Sequence, residues 1–458
     1  MARPRAAALA ALPVAAVSAA RALLYPPSGD EPHYLVISES LARHGSLAVQ
    51  RVYDEGGYAA FYPLPLEPHV VAGPDGVLLP LHAVGGPLLW LLPYALAGRA
   101  GVLAFMVVVT LLAVHTVERL LLELGTRPGL ATGVAVATGL GTPLLWYAGM
   151  SFVEPIGALG CVLGLRVLHS RELRPRDLAL AGAALWVLPW VHGRFVWFPL
   201  VLTALLGWRV FREHRSWLPA LLGPAALLLA GLVAYDALVW HTLSPFANQV
   251  GGAAVPFRTD PLPALVGLLV DQDAGVVPAF PVVLLVLPGL LLAARAPVTR
   301  HALLVAVPYV LVVASFPAWS GAWSPPARFL AVVAPLFAWH VALAVERAGR
   351  AGLVLLGTLT ALGTVQAVIA LATPTGGFTA PPGRSAVLVL LAKTTGLDLT
   401  EAVPMVMLPG QAALAAAWCA AVLAVAAALL LAARRSVTSF SAVASVQSSR
   451  HGSIPNAP

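Results

Sequence analysis

LLGPAALLLAGLVAYDALVW, residues 221–240, decides the fold. Apart from Asp236 it is apolar on every face, over the about 20 residues that a helix needs to cross a bilayer. A strand of a membrane barrel would instead alternate polar and apolar side chains over about 10 residues, so a β-barrel is excluded. Comparable runs of about 15 to 25 residues recur along almost all of the chain, which excludes an enzyme held by a single anchor. Composition agrees: 59% of the 458 residues are hydrophobic and 10% charged, against about 25% charged in a soluble domain. Cys161 and Cys419 lie inside apolar runs, so neither a disulfide framework nor a cysteine metal site is supported. The +7 formal charge does not point to nucleic acid, because the arginines are scattered between spans rather than gathered in a stripe. Their placement follows topology.

A first span at about 8–24 follows Arg3 and Arg5, which puts the amino terminus in the cytoplasm by the positive-inside rule. A signal peptide cleaved near VSAARA is the rival reading. The segment 83–98, AVGGPLLWLLPYALAG, sets the parity of everything after it. If it crosses, the basic loops HSRELRPRD (169–177) and RVFREHR (209–215) fall outside, against the rule. If it is re-entrant or interfacial, spans are expected near 100–124, 129–149, 154–169, 178–191, 195–211, 217–240, 276–295, 301–317, 328–346, 351–372 and 411–433. That reading gives an all-α, polytopic protein of twelve spans with both ends cytoplasmic. Lys and Arg then divide 18 inside to 9 outside, and 14 of the 20 carboxylates lie outside. The membrane domain covers 1–435, with long outer loops at 25–82, 241–275 and 373–410, and a disordered cytoplasmic tail at 436–458.

The first loop contains SGDEPHYLVISESLARHG (28–45), which predicts a helix: Asp30 near its start, Pro32 in the first turn, Gly45 after the last. Tyr34, Ile37 and Leu41 form a stripe that would lay it flat on the membrane, with Asp30 and Glu31 at the water boundary. Asp30 either caps this helix or, with Glu31 as alternate, is a general base where a lipid-borne substrate meets water.

An acidic pair just after the first span, followed by an interfacial helix, resembles the GT-C superfamily of membrane glycosyltransferases. These include protein O-mannosyltransferases, aminoarabinose transferases and actinobacterial arabinofuranosyltransferases. GTPLLWYAGMSFVEP (141–155), VDQDAGVVPAFP (270–281) and SGAWSPPARF (320–329) add diffuse matches to uncharacterised bacterial members. The resemblance implies a sugar donor carried on polyprenyl phosphate, with the first-loop acid, here Asp30 or Glu31, as catalytic base. No large soluble domain of the kind many arabinosyltransferases carry follows the last span, so the acceptor class stays open: lipid, glycan or protein.

Other charged residues at the outer ends of spans are costly there and need reasons. Arg194 with His192, in LPWVHGRFVWFP (188–199), and Arg328, in WSGAWSPPARF (319–329), are candidate ligands of the donor phosphate, or else snorkel to headgroups. Glu154 is either a cap or part of the site. Asp271 and Asp273 are further candidates, and would hold a divalent cation only with oxygen ligands from elsewhere. His33, His69, His82 and His192 show no zinc-ligand spacing. No Walker loop and no dinucleotide fingerprint occur. The expected activity is an inverting sugar transfer at the outer membrane face; a flippase of lipid-linked saccharides and an inactive scaffold are the rivals.

Overall fold

The computed structural model describes the backbone of residues 5–243, 257–378 and 383–450, and the side chains of these up to residue 431. Of the tail 436–458, expected to be disordered, the backbone of 436–450 instead continues the last helix, Ala412–Arg450, and 451–458 lie outside the described residues. So do parts of the second and third outer loops.

Helices dominate: among the described residues seven are long and apolar enough to cross a membrane, namely Ala6–Leu24, Leu91–Glu123, Gly193–Glu213, Arg215–Val239, Pro297–Ser315, Ala334–Ala370 and Ala412–Leu431. The expected spans are otherwise built of shorter helical pieces, 276–295 for example of Val276–Ala279, Pro281–Leu285 and Val286–Leu292, and the difference from twelve has a local cause. Two of the long helices are broken. Residues Ala97 and Gly98 interrupt Leu91–Glu123, and Gly349 interrupts Ala338–Ala370 where the turn between two spans is expected. Other expected spans are interrupted by proline. Pro128–Leu140 stops before Pro143 and continues as Leu144–Tyr147. Pro175–Trp186 continues as Leu188–Val191, which has Pro189 in its first turn. A ring nitrogen without N–H fits a first turn but not a helix interior, so each proline restarts the helix at a new angle.

In chain order the elements used below are α1 (Ala6–Leu24), α2 (Glu31–His44), α3 (Gln50–Asp54), β1 (Val70–Ala72), β2 (Leu78–Pro80), α4 (Gly85–Leu89), α5 (Leu91–Glu123), α6 (Pro128–Leu140) and α7 (Leu144–Tyr147). They continue with α8 (Glu154–His169), α9 (Pro175–Trp186), α10 (Leu188–Val191), α11 (Trp197–Glu213) and α12 (Leu218–Val239). The segment that sets parity is therefore not one span. It is α4 followed by the first arm of α5, and at about 1.5 Å per residue neither piece crosses a core of about 30 Å. Gly98 makes the break at φ 55°, ψ −139°, and Gly101 lets the second arm close on the first: a Cβ there would lie 1.9 Å from the Pro93 carbonyl oxygen.

The bundle packs α5 against α1, α6 and α8, and α12 against α9. Lipid supplies no hydrophobic drive between helices, so such contacts depend on fit and on hydrogen bonds. Gly182 of α9 supplies fit, since a Cβ there would meet the Leu221 carbonyl oxygen of α12 at 2.3 Å. At one end, Glu118 of α5 accepts from the Ala6 backbone N–H (2.8 Å) and the Thr132 hydroxyl (2.6 Å), tying three helices together. One turn on, buried Glu123 accepts from Arg166 of α8 (2.8 Å) and pairs with Arg119 (3.3 Å).

At the other end the first loop folds over the bundle. Helix α2 forms where expected and ends on Gly45 at φ 59°. Its stripe residues Tyr34 and Ile37 are buried, but so are Ser38, Glu39 and Ser40. Rather than lying open on the membrane surface, α2 is enclosed by α4, α5, α3 and the turn at Gly57–Ala60. The antiparallel pair β1–β2, in register Val71 to Leu79, completes the loop.

Candidate active site

Asp30 is placed by Gly29, whose φ of 61° and lack of Cβ let the chain pass the Trp323 carbonyl oxygen; a Cβ would lie 2.5 Å from it. The Trp323 indole N–H donates to the Ser28 hydroxyl at 2.6 Å, so the start of α2 and the WSPPARF segment lie against each other. Asp30 makes no capping bond with its own helix. Its carboxylate instead receives the Arg328 Nη2 at 2.5 Å, across 298 residues of sequence.

Arg328 is the hub of the cluster. Its Nε donates to Glu154 Oε1 at 2.9 Å, and the same oxygen receives Arg194 Nη2 at 2.6 Å. Phe329 lies between the two guanidinium groups, its ring centroid 4.8 Å from Arg194 and 5.6 Å from Arg328, and Phe152 faces Arg328 at 4.4 Å. The result is a row of alternating charge, Asp30, Arg328, Glu154, Arg194, walled by aromatic rings. Such pairing is what permits four charges in a low-dielectric setting. Exposure separates the members: Glu154 is fully buried, while 27% of the Asp30 side chain is open.

Burial acts to raise the Asp30 carboxyl, but Arg328 lying against it overrides burial and holds it below the usual carboxylate range. Asp30 is therefore ionised near neutral pH. His192, buried and beside Arg194 and Arg328, is held well below the usual imidazole range and is neutral. Its Nδ1 accepts the Arg194 backbone N–H at 3.2 Å, so it orients the turn Gly193–Phe195 and presents Nε2 as donor. On the other flank of Asp30, the rings of His33 and His69 stack with centroids 3.5 Å apart, and His69 Nδ1 lies 3.1 Å from His82 Nε2.

The segment carrying Arg328 holds two non-glycine residues in the left-handed region, Ala322 (φ 54°) and Ala327 (φ 57°). Each costs about 1 kcal/mol or more and persists where surroundings enforce it. Here the Tyr147 hydroxyl donates to the Pro325 carbonyl at 2.6 Å, and the Ala327 N–H to the Ala274 carbonyl at 3.2 Å. The strained backbone aims Arg328 inward.

Of the residues expected from sequence, Asp30, Glu154, Arg194, Arg328 and His192 come together. Glu31 does not join them. It points the other way, fully buried, accepting from the Ser28 N–H (3.1 Å) and the Ser151 N–H (3.0 Å) and pairing with Arg21 at 3.5 Å. Asp271 and Asp273 lie nearby but stitch a loop: Asp271 accepts the N–H groups of Asp273, Ala274 and Val406, and Gln272 donates to the Thr400 and Val403 carbonyls. Burial, then the neighbouring Asp271, pushes Asp273 up to about 8. Among the described residues no group of three or more His, Cys, Asp or Glu side chains is arranged to hold a metal ion. Sequence reasoning missed Arg21, Phe152 and Tyr147. An arginine near the end of the first span was the available signal for Arg21; the aromatic residues carried none.

No protein-family model matches the chain, and no curated protein matches it. Among solved structures, the crystal structure of ArnT from Cupriavidus metallidurans bound to undecaprenyl phosphate is similar, with a TM-score of 0.51 at 14% identity. The match covers 98% of this chain and 81% of that one. At that identity the likeness is one of fold, and it extends over the bundle and the loop that carries Asp30. The chain is a polytopic helical membrane protein whose fold is similar to that of ArnT.

Proposed function

We propose that the chain transfers a sugar from a polyprenyl-phosphate donor to an acceptor hydroxyl at the outer face of the cytoplasmic membrane, with inversion. The observation that carries this reading is the pairing of a partly open carboxylate, Asp30, with a buried arginine, Arg328, that a second carboxylate holds in place. Asp30 takes the proton of the acceptor hydroxyl as that oxygen attacks the anomeric carbon, and the bond from that carbon to the lipid-phosphate oxygen breaks. Arg328 and Arg194 meet the negative charge that grows on the departing phosphate, which lowers the barrier because the charge is greater in the transition state than in the bound donor. A carboxylate held by arginine is a weak base. Phosphate drawing on Arg328 loosens that hold and makes Asp30 more basic when the donor is bound.

The chain's resemblance to GT-C enzymes and the polyprenyl phosphate bound by its structural neighbour ArnT support the donor class. Orientation rests on the positive-inside distribution of arginine. Sugar and acceptor are open between mannose and arabinose, and between lipid, glycan and protein. The test is transfer from labelled polyprenyl-phosphate mannose or arabinose in reconstituted membranes. Transfer lost in Asp30→Asn is the expected result. No transfer from either donor, with lipid movement between leaflets intact, refutes the reading in favour of a flippase.

A further inference from the structure

A second charged site lies away from the Asp30 cluster, and its reading does not depend on the proposed activity. The break in α5 opens a cavity of about 490 Å³ between its first arm and the far end of α2, lined by Glu39, Ala42, Arg43, Phe61, Tyr94 and Arg99 among others. Glu39 is nine residues beyond Asp30 on α2, about 14 Å along the helix. Leu92 and Leu96 on the first arm, and Leu23 and Leu24 at the end of α1, are exposed beside it, so in a membrane protein this flank faces lipid.

Charge in this neighbourhood does not balance. Three arginines, Arg21, Arg43 and Arg99, stand among two carboxylates. Glu39 is neutralised by Arg43 at 2.5 Å and accepts the Tyr94 hydroxyl at 2.7 Å; Glu31 is paired with Arg21 at 3.5 Å. Arg99 is left in excess. Its Nη1 donates to the Tyr25 carbonyl at 2.9 Å and more distantly to that of Ala22, while its buried Nε and Nη2 have no hydrogen-bond partner among the described residues. A buried guanidinium edge with two N–H groups unused is costly, and two parallel N–H groups match two phosphate oxygens. Gly98 and Gly101, which make and close the break, hold Arg99 at this position.

We infer that the cavity binds the phosphate headgroup of an anionic membrane phospholipid, with Arg99 on the phosphate and the acyl chains running past the exposed leucines. A phosphatidylglycerol-type lipid fits, since one net positive charge faces a ligand of one net negative charge.

Native mass spectrometry of the full chain in detergent, titrated with phosphatidylglycerol or phosphatidylcholine, tests this. Phosphatidylglycerol binds tighter by about tenfold, and Arg99→Gln removes that preference. Because Arg99 also holds the end of α1, and Arg43 the buried Glu39, Ala95→Glu on the open lining serves as the variant that breaks no such contact; there the preference falls. It survives in Arg328→Gln, which separates this site from the Asp30 cluster. Equal binding of the two lipids by the native chain, or an undiminished preference in Ala95→Glu, overturns the inference. Displacement of the lipid by millimolar inorganic phosphate does so as well, in favour of a free phosphate-bearing ligand.

Discussion

Helix α8 carries at its two ends the same device put to different use. In its first turn Glu154 holds Arg194 and Arg328; in its last turn Arg166 joins Arg119 on Glu123. Both carboxylates are buried and both hold two guanidinium groups. The difference is what lies beyond the arginines. Around Glu123 the network closes on the protein, with Arg171 donating to the Glu123 backbone carbonyl at 3.0 Å. Around Glu154 it continues through Arg328 to Asp30, which is partly open. Arg119 of the Glu123 network is as open as Asp30, so neither buried ion pairs nor an accessible arginine mark a site; an accessible carboxylate at the end of the network does.

The comparison breaks most sharply at Asp30. Asp30→Asn is expected to lower transfer by about 100-fold or more, the range of general-base catalysis, with a smaller fall in unfolding temperature than Glu154→Gln because Arg328 keeps its pairing with Glu154. If transfer per folded molecule is unchanged, the Glu154 network is as structural as its counterpart. Glu154→Gln and Glu123→Gln form the matched pair. Each leaves arginines uncompensated and should cost about 3 to 5 kcal/mol of stability, read as a lower unfolding temperature in detergent. Only Glu154→Gln should also reduce transfer by the molecules that remain folded. Arg328→Lys keeps the charge and loses the fork that spans two carboxylates, so a fall of about tenfold in transfer is expected.

Two pH profiles sharpen the contrast with smaller effects. Because Arg328 holds Asp30 below the usual carboxylate range, the acid limb of kcat/KM should lie below that range and move up in Arg328→Gln. The stacked imidazoles give a stability effect. Burial, and then the neighbouring imidazoles, hold His33 at about 3; burial holds His82 at about 4 despite Asp30; the ordinary value is 6.5. The unfolded chain therefore binds more protons as pH falls below about 6.5, and the fold loses stability from there down toward pH 3. His82→Gln should flatten the fall in unfolding temperature across that window.

Much of this was legible in sequence because membrane spans announce themselves by composition and their ends by arginine. The helix starting at Asp30 and stopping at Gly45, and the grouping of Arg194, Arg328 and Glu154 toward one face, followed from such local rules. Which of two adjacent acids faces the site did not, since Asp30 and Glu31 differ only in partners that arrive from far along the chain. Arg328 lies 298 residues from Asp30, and Ser151 lies 120 from Glu31. The enclosure of α2 was hidden for a related reason: a periodic stripe says which face is apolar, not that Gln50–Asp54 and Gly57–Ala60 fold back over the helix. The glycines and prolines of 83–98 signalled an interruption there, but not that the second arm would close on the Pro93 carbonyl.

The opposed directions of Asp30 and Glu31 also set a rule for chain length. Glu31 is moored to Arg21 in α1 and to Ser151, so the connection Tyr25–Gly29 works as a spacer of fixed count. Deleting one residue there would turn the start of α2 by about 100° and bring Glu31 into the place of Asp30, while adding one would turn Asp30 into the place of Glu31 and leave Arg328 without an acid on α2. Insertions and deletions should therefore be far less tolerated in these five positions than in the exposed turn around Pro74 and Asp75, although both stretches belong to one loop.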